Sequence, residues 1–254
     1  MRKSRTNEGI LSILEKITRA HPLIYIILRF LIRHTNFFEK DFDGVKLLKF
    51  NKKINILDIG ASDGIAAKFF NNNLNTGTIY CVEPNKYYVD ILRKIKIKNV
   101  IIKPFAIGNQ NSLKTIYFPR YKFFNRSFDI ITYTHYDIKL MNHFLLDFKF
   151  RKNISIVKKK LKIKKINNFK KNIDLIKIDT NGFELSIIKS LIKTIKKDKP
   201  ALIIEDNNHG NIINNILKRY SYKGYYYSIN LKKFIRKKTK YSLNKYYLLD
   251  NHLK

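Results

Sequence analysis

The chain has 254 residues, 44% of them hydrophobic, which is enough to bury the core of a full-sized globular domain. Lysine and arginine total 52 against 19 acidic residues, a formal net charge of +33 that suggests an anionic partner, either nucleic acid or an anionic surface. A/T-biased coding would enrich Lys, Asn, Ile, Tyr and Phe together and explains the charge equally well. The single cysteine, Cys81, excludes an internal disulfide and fits a reducing, cytoplasmic location.

Residues 1–50 are predicted to form an amino-terminal helical extension. Apolar residues recur at helical spacing from Ile10 to Ile32, around a kink at Pro22. Charged residues interrupt this segment, so it is too short for a transmembrane helix and lacks the apolar core of a signal peptide. We expect an amphipathic helix packed on the domain; peripheral contact with the inner face of a membrane is the alternative.

Residues 51–254 are predicted to form one α/β domain, because short apolar runs alternate with segments of helical spacing. The fold expected is a mostly parallel sheet with helices on both faces. Predicted strands are Ile54–Gly60, Thr78–Glu83, Val100–Ile107, Asp174–Thr180, Ala201–Glu205, Gly224–Ile229 and Tyr246–Leu249, the last two forming a hairpin around the basic run Lys232–Lys240. Predicted helices are Ile65–Asn73, Tyr87–Lys96, Phe183–Ile195 and Ile212–Tyr220.

The segment Phe123–Phe150 is aromatic and has no clear period, so we predict an irregular region that could cover a substrate. The Lys-rich segment Ile154–Ile166 alternates apolar and basic residues, which is typical of an edge strand with a charged outer face.

The glycine-bracketed turn after the first predicted strand is the strongest functional signal. Gly60 and Gly64 allow the backbone to approach a ligand at the carboxyl end of that strand. The turn matches the Gly-x-Ser-x-Gly elbow of hydrolases, but that elbow lies after several strands, and this turn follows the first. A nicotinamide dinucleotide site would place Glu83 correctly, but Ser62 occupies the position where a glycine must admit the pyrophosphate.

S-adenosylmethionine is the third candidate ligand. It needs a glycine-edged loop and a carboxylate for the ribose hydroxyls, but no pyrophosphate cradle. Asp58, the glycine turn and Glu83 supply these parts.

A second turn strengthens this interpretation: the predicted strand Asp174–Thr180 contains Asp179 near its end, and a turn with Gly182 and a helix that opens with Glu184 follow it. With these residues the sequence resembles the FkbM family of S-adenosylmethionine-dependent methyltransferases over about Asn51–Asn207. The resemblance rests on Leu57-Asp58-Ile59-Gly60-Ala61, Val82-Glu83-Pro84, Ala106-Ile107-Gly108 and Lys177-Ile178-Asp179 through Gly182 and Glu184.

The resemblance implies a Rossmann-like class I methyltransferase domain with a seven-stranded sheet and methylation of sugar hydroxyls in glycans or natural products. It implies that Asp58, Gly60 and Ser62 line the methionine pocket, that Glu83 holds the ribose, and that Asp179 and Glu184 face the substrate. Further cofactor contacts predicted from these motifs are Ala61, Gly64, Pro84 and Ala106. The chain departs from the family pattern at Ser62, where Asn is frequent, at Asn181, where Glu or Gln is common, and at Asn167, where Asp is usual.

Acidic residues also end the fourth and fifth predicted strands, at the edge where parallel sheets bind ligands. Asp179, Glu205 and Asp206 could hold Mg²⁺ and orient vicinal sugar hydroxyls, or could simply cap helices and bind water. Without a metal, Glu184 or His209 is the candidate base, although a lone histidine often has only a capping role.

We therefore expect an S-adenosylmethionine-dependent O-methyltransferase whose acceptor is a saccharide or another small hydroxyl-bearing molecule. The alternatives are an RNA methyltransferase, which the charge favours, and a non-catalytic basic binding module with the same fold.

Overall fold

The computed structural model describes residues 38–130, 134–147, 151–166, 169–207, 209–239 and 242–253, together with Ile24, Ile27 and Leu31. These three residues are helical and exposed; the rest of the predicted amino-terminal helix lies outside the described residues. None of the described helices has both the length and the apolar character needed to span a membrane. The chain divides into two compact units, residues 1–37 with 114–160, and residues 38–113 with 161–254.

The elements follow in chain order. Strands are β1 Ile54–Ile59, β2 Thr76–Val82, β3 Val100–Lys103, β4 Ala106–Ile107, β5 Ser112–Phe123, β6 Arg126–Asp129, β7 Ile154–Lys164, β8 Leu175–Ile178, β9 Ala201–Glu205, β10 Lys223–Ser228, β11 Lys233–Ile235 and β12 Asn244–Leu248. Helices are α1 Ile65–Asn73, α2 Lys86–Leu92, α3 Ile138–Phe144, α4 Glu184–Asp198 and α5 Gly210–Lys218. Short 3₁₀ helices span Lys40–Leu47, Leu145–Asp147, Arg151–Asn153 and Asp250–His252.

The larger unit is built on a sheet whose described strands run in the order β11-β10-β12-β9-β8-β1-β2-β3. Five neighbouring strands, β9, β8, β1, β2 and β3, are parallel to one another. Beyond β9, three antiparallel pairs follow: β9 with β12, β12 with β10, and β10 with β11. Chain order reverses between β1 and β8, because β2 and β3 extend the sheet on one side and β9 on the other. Ligands of open α/β sheets bind at such a reversal, outside the carboxyl ends of the strands.

Both faces of this sheet are buried, which explains why its parallel strands are nearly continuous apolar runs. One face packs Ile56, Cys81 and Ile203 against the 3₁₀ helix Lys40–Leu47 and α1. The opposite face packs residues such as Ile178 and Ile204 against α4 and α5. On the first face Asp58, Lys177 and Glu205 follow these apolar residues at the carboxyl ends of β1, β8 and β9.

The smaller unit contains an antiparallel hairpin of β5 and β6, in which Phe123 pairs with Arg126 and Tyr121 with Phe128. Its described core consists of Tyr121, Ile130, Met141 and Leu145, so α3 packs beside the base of the hairpin. The prediction of an irregular segment over Phe123–Phe150 is therefore wrong, because cross-strand pairing orders its first part.

Two other predictions about elements need correction. Residues 100–107 form two strands, because the chain turns at Phe105, whose N–H donates to the Lys103 carbonyl at 2.9 Å, and β4 then pairs with β7. The basic run Lys232–Lys240 contains a short strand, β11, which adds an eighth strand to the expected seven. The boundary between residues 50 and 51 stays a prediction; residues 38–50 belong to the unit that contains the large sheet.

Candidate functional site

The reversal of strand order between β1 and β8 carries a buried lysine. Asp58 and Lys177 are register partners on these two strands, and both side chains are almost completely buried. The Lys177 ammonium lies 3.6 Å from Asp58 Oδ1 and 3.2 Å from Asp179 Oδ2, and donates to the Gly60 carbonyl at 3.4 Å. One cation thus joins the first strand, the glycine turn and the end of β8.

Neighbouring carboxylates favour the charged form of Lys177. Burial alone would lower the pKa of Lys177, but the carboxylates of Asp179 and Asp58 raise it above its ordinary value. Burial raises the pKa of Asp58, and Lys177 partly opposes that shift. Within the described residues, no hydrogen bond reaches either carboxylate oxygen of Asp58. Asp58 therefore depends on Lys177 as its counter-ion.

The glycine turn is held close to the end of β8. Gly60 has φ +79°, and a Cβ at this position would lie 1.8 Å from the Asp179 carbonyl oxygen. Gly64 also has φ +79°, and a Cβ there would collide with Ile95. Ala61 between them is buried, and its N–H donates to the Val82 carbonyl at 3.2 Å. Both glycines are thus required by chain packing, whatever ligand the turn holds.

Glu83 lies just after β2 and faces the same turn. Its Oε2 accepts the Ser62 N–H at 2.9 Å and its Oε1 accepts the Asn85 N–H at 2.8 Å. Burial raises the pKa of Glu83 to about 7, against these two backbone donors, which lower it. Ser62 itself adopts φ 48°, and Pro84 is partly buried next to Glu83. A hydrogen bond therefore directly connects the glycine turn to Glu83, the residue predicted to hold the ribose.

A cavity of about 170 Å³ opens at the carboxyl ends of β8 and β9. It is lined by Glu39, Asp179, Glu205, Asp206, Lys238, Ser242, Leu243 and Asn244. Asn244 of β12 is the register partner of Glu205 on β9, and its Nδ2 donates to Glu39 Oε2 at 2.9 Å. Asp206 is paired with Lys238 at 2.6 Å and accepts from the Tyr226 hydroxyl at 3.1 Å.

Two glutamates that line this cavity, Glu205 and Glu39, have raised pKa values. Burial, followed by the charges of Asp179 and Glu184, raises the pKa of Glu205 to about 8. Burial, followed by the charges of Asp179 and Asp41, raises the pKa of Glu39 to about 7. Near pH 7 the cavity therefore offers both neutral and ionised carboxyl groups, which can donate as well as accept hydrogen bonds.

Two of the predicted catalytic residues lie elsewhere. The fully buried Glu184 accepts Thr180 and Gly182 N–H groups at 2.9 and 3.1 Å, and also the Asn207 side-chain amide. Glu184 thus links the turn that follows β8, which contains Thr180 and Gly182, to Asn207 after β9. This turn is called the β8 turn below. His209 precedes α5, its N–H donates to Asn207 Oδ1 at 2.9 Å, and it is absent from the cavity lining.

The remaining predicted residues do not all lie near the cavity. Asp179, Glu205 and Asp206 share the cavity, but no group of three or more His, Cys, Asp or Glu side chains in the described part of the chain has an arrangement suited to a metal ion. The predicted Mg²⁺ site therefore gains no support from the geometry. Ala106 lies in β4, which pairs with β7 and not with the large sheet.

Several residues that the structure adds were not predicted to have a role. Lys177 carried a usable signal, because a lysine in the buried run Leu175–Ile178 must have a partner. Glu39, Lys238 and Asn244 carried none. They come from the segment before β1, the basic run and the last strand, and only the tertiary fold brings them together.

The glycine turn, the acidic residue after β2 and the ligand edge at the strand reversal together define a Rossmann-like class I methyltransferase fold, and the predicted fold class is confirmed. The model of the methyltransferase FkbM domain matches residues 58–227. The chain belongs to this family. Comparison with curated proteins finds no match to the sequence.

Several solved structures resemble the chain. A methyltransferase FkbM from Methylobacillus flagellatus KT is 16% identical to this chain, with a TM-score of 0.48. The match covers 79% of this chain and 45% of that protein's chain. TrmK from M. capricolum, solved with S-adenosyl-homocysteine, has 13% identity and a TM-score of 0.42, covering 86% of this chain and 71% of its own. A precorrin-6y C5,15-methyltransferase from Geobacter metallireducens GS-15 has 14% identity and a TM-score of 0.40, covering 82% and 83%.

Proposed function

We propose that the chain is an S-adenosylmethionine-dependent O-methyltransferase whose acceptor is a sugar hydroxyl of a glycan or glycosylated product. The observation that carries the proposal is the polar cavity at the ends of β8 and β9, which adjoins the β8 turn against which the glycine loop packs. Family membership supports methyl transfer, and the chemistry of the cavity supports a hydroxyl-rich acceptor.

The residues around the glycine turn fit the cofactor. Each oxygen of Glu83 accepts one backbone N–H, which fixes the carboxyl group and leaves lone pairs for two vicinal ribose hydroxyls. Asp58 and Lys177 lie beneath the turn, where the methionine part would be held. S-adenosylmethionine, when bound, supplies an electrophilic methyl group.

The cavity fits a ligand with several hydroxyl groups. Glu39, Ser242 and Asn244 can each donate or accept hydrogen bonds, and the salt bridge to Lys238 orients Asp206. A neutral carboxyl group can donate a hydrogen bond and an ionised one can accept it. A site with both forms can therefore bind hydroxyl groups, because each hydroxyl is both a donor and an acceptor.

Proton removal falls to the carboxyls that face the cavity. Asp179 lies at the end of β8 with part of its side chain exposed, and it is held by Lys177 at 3.2 Å. We assign to Asp179 the orientation of the acceptor hydroxyl, and to Glu205 in its ionised form the acceptance of its proton. The raised pKa of Glu205 suits this role, since it lies close to physiological pH.

Transfer of labelled methyl groups to a panel of saccharides tests the proposal. We expect incorporation with a saccharide, and a decrease of 100-fold or more for Asp179→Asn or Glu205→Gln, within the usual range for loss of an acid–base group. Asp90→Asn, an exposed carboxylate on α2, is the matched control and should keep wild-type activity. Incorporation with no saccharide, together with normal cofactor binding in calorimetry, would overturn the assignment of the acceptor.

The RNA alternative is tested with the same assay. The net charge of +33 favours it, so a mixed tRNA and rRNA fraction should be included as acceptor. Methylation of RNA would replace the saccharide proposal.

Retention of activity in excess chelator would exclude a role for Mg²⁺. We also propose a cytoplasmic location, which fits a sequence whose single cysteine cannot form an internal disulfide.

A further inference from the structure

We propose that the tip of the β5–β6 hairpin, the four residues Phe123 to Arg126, docks the protein on anionic phospholipid bilayers. The tip belongs to the smaller unit, and the methyl-transfer proposal neither uses it nor depends on it.

The tip exposes two adjacent phenylalanine rings. Phe124 is 90% exposed and Phe123 is 41% exposed, while their ring centroids lie 4.7 Å apart in an edge-to-face contact. Phe123 also stacks on Tyr121, at 6.3 Å between centroids. The aromatic pair is thus supported from the strand side and open to the surroundings on the other.

Folding of the hairpin does not account for a phenylalanine at position 124. Phe124 adopts φ +50°, in the left-handed region that a bulky residue enters only at a cost. Asn or Gly would occupy the position more easily, and a ring that is 90% exposed gains little from packing. A costly and exposed aromatic residue at a hairpin tip indicates a surface that acts in binding.

The charges around the tip favour an anionic partner. Lys122 and Arg126 flank the two rings, and the Asn153 side chain donates to the Lys122 carbonyl at 3.4 Å, which holds Arg151 and Lys152 beside β5. These four cations are exposed, and none of them forms an ion pair with a described residue. Asp129, the one acidic residue in the sequence from 114 to 130, is neutralised by a bidentate bond to Arg120.

A bilayer surface accounts for both features together. Aromatic rings insert at the boundary between headgroups and acyl chains, and lysine or arginine residues beside them contact anionic headgroups. A single short insertion gives weak binding, so the charge should be required for measurable affinity.

The sequence has no tryptophan, which makes a direct test possible. In Phe124→Trp the tip carries the sole indole of the protein. We expect a blue shift of its emission, and quenching by brominated acyl chains, with vesicles of phosphatidylcholine and phosphatidylserine at 7:3, and at least tenfold weaker binding to phosphatidylcholine alone. A Trp side chain that keeps its aqueous emission with the mixed vesicles overturns the proposal. So does an equal response to both lipids, or a response to poly(U) RNA without one to vesicles.

Sedimentation of the full chain with the same vesicles gives a second measurement that does not depend on the tryptophan variant. The double change Phe123→Ser with Phe124→Ser should lower the bound fraction at least tenfold, and Lys122→Gln with Arg126→Gln should do so at low salt. Leu231→Ser removes a comparably exposed apolar side chain from the larger unit and should have no effect. Unchanged sedimentation of both double variants, with their folding confirmed by circular dichroism, would contradict docking through the tip.

Discussion

The carboxyl ends of the central strands of the large sheet and the tip of the β5–β6 hairpin use charge in opposite ways. At the end of β8, Lys177 is buried between Asp58 and Asp179. At the hairpin tip Lys122 and Arg126 are exposed beside two exposed rings. The first arrangement costs desolvation free energy and fixes geometry, whereas the second costs almost nothing and leaves the cations available to a partner.

This difference bears on the interpretation of the net charge of +33. Most lysines of the chain could be a by-product of biased composition without effect on folding, because exposed lysines are tolerated. Lys177 cannot be among them, since a buried ammonium persists only with partners. The environment of each cation, and not the total, therefore identifies the lysines that have a function.

The largest effect on stability is expected at Lys177, in the central strand β8. Lys177→Met leaves the carboxylate of Asp58 buried without a counter-ion and should lower the free energy of unfolding by about 3–5 kcal/mol. Denaturation by urea measures the change. Adding Asp58→Asn to the variant removes the orphaned charge and should recover at least half of the loss. A loss below about 1 kcal/mol in the single variant would show that the pair is not coupled.

Glu184 tests whether the β8 turn is held structurally. Glu184→Ala leaves the N–H groups of Thr180 and Gly182 without their acceptor and should cost about 1–3 kcal/mol. Thermal denaturation monitored by circular dichroism gives the measurement. Lys189→Ala, at an exposed position of the same helix, is the control and should have little effect. A stable Glu184→Ala protein that has lost methyl transfer would instead restore Glu184 as a catalytic residue.

The raised carboxyl pKa values predict a dependence of stability on pH. The folded-state pKa is about 7 for Glu39 and Glu83 and about 8 for Glu205, above the ordinary value of 4.5. The folded protein therefore retains protons that the unfolded chain releases, and the free energy of unfolding should fall as pH rises from about 5 to about 8. Urea midpoints at pH 5.5 and 8.5 check the direction.

The contribution of Glu205 to this pH dependence can be isolated. Glu205→Gln cannot ionise, so its loss of stability between pH 5.5 and 8.5 should be smaller than that of the wild type. Equal losses in the two proteins would show that Glu205 does not titrate in this window.

The smallest effect is expected at the hairpin tip. Phe124→Asn should leave the free energy of unfolding unchanged or raise it by up to about 1 kcal/mol, because Asn accepts the left-handed conformation more easily. Phe118→Ala provides the contrast on the same strand, since Phe118 is buried and its removal should cost about 3–5 kcal/mol. A marked loss of stability in Phe124→Asn would mean that the exposed ring supports the fold.

The parallel part of the sheet could be predicted from the sequence because its strands are short apolar runs that end in acidic or glycine residues. The predicted strands Ile54–Gly60 and Asp174–Thr180 are present in the structure as Ile54–Ile59 and Leu175–Ile178. The same local pattern located Glu83 and Asp179. Where the predictions failed, local pattern was a poor guide: β11 lies within a lysine run, and the break at Phe105 separates two strands that read as one.

The full lining of the cavity could not be predicted for a different reason. Glu39 and Asn244 are 205 residues apart, and their contact depends on the 3₁₀ helix Lys40–Leu47 packing beside β10 and β11. Glu184 was predicted to face the substrate because its place in the motif is right, but its carboxyl is taken up by backbone N–H groups, which no spacing rule reveals.

The contact between Gly60 and the Asp179 carbonyl has a consequence for engineering and for evolution. A side chain at position 60 would overlap the backbone of the turn that follows β8, so the two loops must change together. A chimaera that takes the first loop from one homologue and the second from another is expected to fail unless both bring compatible backbones. The useful crossover points for exchanging acceptor specificity therefore lie outside the pair, before β1 and after α4.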